Sequence, residues 1–207
     1  MREPTTMNPS DQLPRVCQAN ADRFYQRVVI TTLDQLPIHN VLAAGEAKTF
    51  EEFADNCAAH VDNYTANEAI KAFALTFDGM FERQLSRWAT VYGVKAKTWD
   101  KLLKECAKIG SLDLRANDGM AGDLDEMHLV ANVVRHGNGR SCHELRARVQ
   151  SLWDNPSRDY YDLVPGPSPI SDELRMQPND LRRYACAVFR FWGNIDPLPH
   201  PALNPLY

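Results

Sequence analysis

The densest polar chemistry in the chain lies between Asp125 and Ser141, in the stretch DEMHLVANVVRHGNGRS. Wound as an α-helix at about 100° per residue, His128, Asn132, Arg135 and His136 fall on one narrow stripe, with Asp125 beside them. An imidazole can move protons near neutral pH, and a guanidinium presents a planar fork to a phosphate. The stripe therefore has the residue types of an RNA- or phosphate-handling site. Met127, Leu129, Val130, Ala131, Val133 and Val134 cover the rest of the circumference, and Glu126 is the one exception. Such a helix should be mostly buried, its polar seam either paired inside the fold or facing a groove or a second subunit. Gly137 to Gly139 should break it, and Ser141 should open the next helix.

The elements that must position this seam also read as helices. Arg15 to Gln35 carries Val16, Phe24, Val28 and Leu33 among its apolar positions, although VVITT within it has strand character. Thr49-Phe50-Glu51-Glu52 is a capping box that should open a helix with Phe53, Cys57 and Val61 as its apolar face. A second box, Thr65-Ala66-Asn67-Glu68, is expected to open the longest helix, running to about Tyr92 with Gly93 as its stop. Ile70, Phe73, Phe77, Phe81, Leu85, Trp88 and Tyr92 repeat along it as a core stripe. Lys97 to Ile109 is a shorter helix with Trp99, Leu102, Leu103 and Cys106, ended by Gly110. A third box, Ser141-Cys142-His143-Glu144, should start a helix through Leu145, Val149, Leu152 and Trp153. Asp154 to Pro178 is a long connection holding Pro156, Pro165, Pro167, Pro169 and Pro178, a length that points to a functional or strapped-down loop. Asn179 or Asp180 should cap a last helix with Leu181, Tyr184, Val188, Phe191, Trp192 and Ile195 inward. The expectation is all-α: a bundle of six to seven helices over residues 13–195 as a single domain, a flexible N-terminus over 1–12, and a proline-rich tail over 196–207.

Composition narrows the function classes. With 207 residues and 44% hydrophobic content, the chain can bury a substantial core. A formal net charge of -4 argues against a general nucleic-acid-coating protein, while leaving room for a local basic site. Cys17, Cys57, Cys106, Cys142 and Cys186 are dispersed and form no CxxC, the pattern of free thiols in a reducing cytosol. MREPTTMNPSDQLPR has no apolar core of a signal peptide, and no segment approaches the roughly 18 apolar residues of a membrane span. A cytoplasmic location, away from membranes, is expected.

Ala131-Asn132-Val133-Val134-Arg135-His136-Gly137 resembles the Arg-Asn-x-x-x-His motif of HEPN domains, helical bundles common in prokaryotic toxin–antitoxin and phage-defence systems. Asn132 and His136 match the Asn and His of that motif, and Ala131 stands where the family has Arg. The resemblance implies metal-independent RNA cleavage, no cofactor, and a composite site formed by a homodimer. His136 would be the acid/base at the ribose 2′-hydroxyl, Asn132 would orient it or the phosphate, and Arg135 or Arg140 would supply the displaced cation. His128 and Asp125 would support the substrate along the seam.

Val133-Val134-Arg135-His136-Gly137 also looks like the Arg-His-Gly signature of histidine phosphatases. That signature ends the first strand of an α/β sheet near the start of the domain, whereas here it follows 134 residues of helical pattern. A metal at Asp125-x-x-His128 would need facing contributions from other helices, and no second such motif is present. His128 and His136 lie about 12 Å apart along a helix axis, too far to share one ion. For any one seam residue a structural role is the simpler reading. The rival to an RNase or RNA-binding effector is thus a non-catalytic module that binds a protein partner, with a sealed and fully paired seam.

Overall fold

A computed structural model of the chain describes residues 9–39, 42, 47–116, 119–154 and 169–207. Most of the expected flexible N-terminus, much of the connector after Pro37, and residues 155–168 of the proline-rich connection lie outside the described residues. The described residues are helical with no strand, as the pattern predicts. In chain order the helices are α1 (Leu13–Phe24), α2 (Phe50–Val91), α3 (Trp99–Ile109), α4 (Met120–His136), α5 (Arg140–Arg148) and α6 (Pro178–Asn194). α1 continues through a π-helical stretch, Tyr25–Ile30, into a last turn at Thr31–Leu33. The β-branched VVITT run is therefore not a strand. Its Val28, Val29 and Ile30 end the widened part of a helix, where the ordinary ladder is interrupted, and Thr31 and Thr32 begin the last α-helical turn.

Two expected helix starts are not starts. α2 runs unbroken for 42 residues through Thr65. Asn67, inside the supposed second capping box, instead donates through Nδ2 to the Leu174 carbonyl at 3.0 Å and accepts from the Met176 amide at 3.0 Å. At the third box, α5 begins at Arg140 with Gly139 as its cap residue, and no side chain caps it. Capping requires the hydroxyl-bearing residue to sit outside the helix, and both Thr65 and Ser141 are inside. The first box forms in its hydroxyl half: the Glu52 amide donates to Thr49 Oγ1 at 3.1 Å, while Glu52 Oε2 reaches one residue further back and accepts from the Lys48 amide at 2.7 Å. Before α6, Asp180 accepts from the Gln177 amide at 2.8 Å.

The chain forms two compact units, one of residues 1–28, 76–125 and 182–207, the other of residues 29–75 and 126–181. The first has an aromatic core. Phe81 meets Phe191, Trp192 and Trp99 edge-on at centroid distances of 5.2, 5.8 and 5.8 Å. Trp88 meets Trp192 in the same way at 6.0 Å. Such edge-to-face pairs add about 0.5–1.5 kcal/mol each beyond the area they bury. Trp192 Nε1 donates to Gln84 Oε1 at 3.1 Å, so the indole nitrogen is not left dry. The irregular tail is built into this unit. Gln18 Nε2 donates to the carbonyls of Phe189 and Ala202, Arg15 Nε donates to the buried Asp196 carboxylate at 2.7 Å, and Tyr207 lies on Tyr25. Gly110 ends α3 as expected, its amide donating to the Cys106 carbonyl at 3.1 Å, and it also serves packing, since a Cβ there would lie 2.3 Å from Ile195 Cγ2. The left-handed residue that reverses the chain after α3 is Ser111, at φ 53°.

The second unit is held by side chains that pair with backbone. Besides Asn67, Asn63 accepts from the His39 amide at 2.8 Å and donates to the His39 carbonyl at 2.9 Å. Each carboxamide thus acts like a short length of neighbouring strand for an irregular segment. Met127, Val130, Ala131, Val133, Cys142, Leu145, Leu152, Trp153, Leu174 and Met176 are buried there. The Arg175 amide donates to the Leu152 carbonyl at 2.7 Å, and Trp153 Nε1 to the Ile170 carbonyl at 2.8 Å. Among the described residues no helix is long and apolar enough to cross a membrane.

Candidate functional site

The seam helix α4 starts at Met120, five residues earlier than Asp125. In the second unit its Met127, Val130, Ala131 and Val133 are fully covered, while Leu129 and Val134 are half-buried. The polar seam is the open line. Arg135 and His136 are exposed, and His128 and Asn132 are half-buried. Asn132 and His136 are one turn apart on the same side, with about 6 Å of rise between them. Among the described residues the side chains of Asn132, Arg135, His136 and Arg140 make no hydrogen bond or ion pair. Among the described residues, then, the seam is neither sealed nor fully paired at Arg135, His136 and Arg140.

The helix ends where the glycines predicted. Gly137 has φ +67°, a left-handed conformation that an L side chain adopts only with strain, and its amide still donates to the Val133 carbonyl at 2.8 Å. The following loop is pinned. Asn138 Oδ1 accepts from the Ser171 amide at 2.7 Å, and a Cβ on Gly137 would lie 3.6 Å from Ser171 Oγ. Arg140 then stands exposed in the first turn of α5. Arg135, His136 and Arg140 thus flank a short loop whose path is set by contacts outside it. Arg135 and His136 also suit the negative end of the α4 dipole, which is reason enough for basic residues there. Arg140 has no such reason, because a helix N-terminus disfavours a cation.

Asp125, one turn before His128 on α4, is exposed and accepts a long 3.5 Å hydrogen bond from Trp99 Nε1. Asp123, two residues earlier, pairs with Arg183 at 2.5 Å. Ala131, at the position where the motif has Arg, is fully buried. A guanidinium reaching the seam must come from elsewhere, and Arg135 and Arg140 are the exposed candidates nearby. Among the described residues, no three His, Cys, Asp or Glu side chains gather as a metal site. Asn138 and Ser171 are the supporting residues that pattern reading missed. Asn138 was visible only as part of a Gly-Asn-Gly break. Ser171, 33 residues away, gave no local signal. None of the protein-family models, curated proteins or solved structures with which the chain was compared matches it.

Proposed function

We propose that this chain is a HEPN-like effector of a bacterial defence or toxin–antitoxin system, binding RNA and cleaving it without a metal at the Asn132/His136 seam. The observation that carries this reading is the open seam itself. Asn132, half-buried, and His136, exposed, stand one turn apart on one side of α4, without described partners competing for them. In the proposed reaction His136 takes the proton of a ribose 2′-hydroxyl, whose oxygen attacks the adjacent phosphorus. The bond to the 5′-oxygen breaks, and that oxygen is protonated by water or by the partner subunit's copy of the seam. Asn132 orients the imidazole or a phosphate oxygen. Arg135 and Arg140 offset the charge that develops on the phosphate, as a preorganised cation does best away from bulk water. His128 extends the seam by one further turn toward the rest of the strand. A homodimer that sets two seams facing one groove would complete the site.

Sealing of position 131 favours a second reading, in which the chain holds RNA or a protein partner without cleaving. No cation can occupy the motif's Arg position without disturbing a packed core. One experiment separates the two. Wild type, His136→Ala and Arg135→Ala are incubated with total RNA in EDTA, with folding followed by circular dichroism and oligomeric state by light scattering. His136 is exposed, so His136→Ala is expected to keep the wild-type melting temperature and lose cleavage by about 100-fold or more. Equal cleavage by wild type and a folded His136→Ala would sink the catalytic assignment. Absence of cleavage in both, with RNA retained on wild type alone in a filter-binding assay, would leave the binding role.

A further inference from the structure

The first four turns of α2 carry an apolar stripe that is largely exposed. Phe50, Phe53, Val61 and Tyr64 are 82, 56, 49 and 49% exposed, and Cys57 between them is half-buried. At about 100° per residue these five side chains lie within an arc of about 80°. Their spacing of three, four, four and three residues is that of a helix-pairing seam. The face that this segment does bury is a different one, formed by His60, Asn63, Ala66, Asn67 and Ile70. The expectation that Phe53, Cys57 and Val61 form a core face is therefore overturned. The pattern has the right period, but the fold covers the opposite side.

The charge beside the stripe says what fits it. From Thr49 to Ile70 there are five carboxylates and no Lys or Arg. Glu51, Asp55 and Asp62 line one edge of the stripe, and Ala54, Ala58 and Thr65 leave low ground between them and the aromatic side chains. Asp62 is met by His39 Nε2 at 2.8 Å, while Glu51 and Asp55 form no ion pair among the described residues. An apolar helix face bordered by uncompensated carboxylates is complementary to an amphipathic helix whose own apolar face is bordered by Lys or Arg. We infer that residues 50–64 of α2 are a docking face for a basic amphipathic helix of a partner protein. A second copy of this chain is the poorer occupant. It would bring the same carboxylates rather than their counter-charge. Four exposed side chains also offer on the order of a few hundred Å², short of the roughly 1,200 Å² of a stable interface between folded copies. This inference stands apart from the seam on α4 and does not depend on RNA chemistry.

The test uses the whole chain and two labelled peptides of about 18 residues, long enough to lie along a stripe of about 21 Å. Both carry Leu at positions a and d of the heptad. One has Lys at the flanking e and g positions, and its sibling has Glu there. Fluorescence anisotropy should show the Lys peptide binding at least about tenfold more tightly than the Glu peptide, with a difference that shrinks as salt rises. Phe53→Asp should weaken the Lys peptide by about tenfold or more, and the double variant Glu51→Lys/Asp55→Lys should remove its advantage over the sibling. These positions are exposed, so circular dichroism should show both variants folded. Asp100→Lys, on exposed ground of α3, should leave the affinity within about twofold and so separate a local face from general charge attraction. Failure of the Lys peptide to bind, equal binding of the two peptides, or indifference to Phe53→Asp would overturn the inference. So would a wild-type dimer that Phe53→Asp converts to monomer, which would assign the stripe to a second copy.

Discussion

Residues 50–67 and 77–89 of α2 belong to one unbroken helix and carry apolar residues at the same three-and-four spacing, yet they meet their surroundings in opposite ways. In the second segment Phe77, Phe81, Leu85 and Trp88 are buried at 0–3% exposure among other aromatic rings. In the first segment the apolar stripe is open, and the buried face carries His60, Asn63 and Asn67, with Lys71 buried one turn further on and paired to Glu68. The second segment is therefore held by apolar area and ring packing. The first is held largely by carboxamides that pair with the backbone of residues 39, 174 and 176. Helical period places side chains at angles around an axis, and the covered angle depends on which other segment arrives there.

The largest expected effect tests the aromatic end. Phe81→Ala should cost about 3–5 kcal/mol by urea unfolding, because it removes a ring from the centre of a packed cluster. Phe53→Ala, on the exposed stripe of the same helix, should change stability by less than about 0.5 kcal/mol. Similar losses at the two sites would mean that the stripe is covered in solution, and the contrast would fail. Next in size is Asn67→Ala. It leaves the buried Leu174 carbonyl and Met176 amide without their partner and should cost about 1–3 kcal/mol. Hydrogen exchange should then quicken at residues 174–176 before it does in the aromatic cluster. A uniform rise across both segments would contradict the division of labour.

The smallest effect is alkaline and confined to the aromatic unit. Burial pushes the Cys17 thiol up to about 11 and the Cys106 thiol up to about 12, from an ordinary 9.0. Cys106 Sγ also donates to the Leu85 carbonyl of α2. The folded state thus holds these protons more tightly than the unfolded chain does. Their contribution is complete below about pH 9 and is lost as pH rises through 9 toward 11 and 12. Melting temperature should fall over that window. Cys106→Ala should make the fall shallower, and an unchanged slope would remove this thiol from the account.

Much of the fold was legible in one dimension. The all-helical class, the stops at Gly93 and Gly137, the inward faces of α3 and α6, and the hydroxyl half of the first capping box all follow from local spacing, and the structure forms each of them. The candidate site was legible in part. That Asn132, Arg135 and His136 share a face is a property of the helix alone. Their exposure was open, because the same pattern fits a paired seam or an uncovered one. The supposed boxes at Thr65 and Ser141 failed because capping residues have the same types wherever they stand, and only the chain path says whether a helix begins there.

The sequence by itself determined that this chain is helical, which residues lie on which side of each helix, and that four seam residues line up. Those are consequences of 3.6 residues per turn and of side-chain size, both local. Tertiary structure decided which sides are covered. It closed the helix around Ala131 and opened it at His136. It turned Asn63 and Asn67 into clamps and left Phe50 and Phe53 facing out. Burial is a relation between segments far apart in sequence, so no reading of one segment contains it.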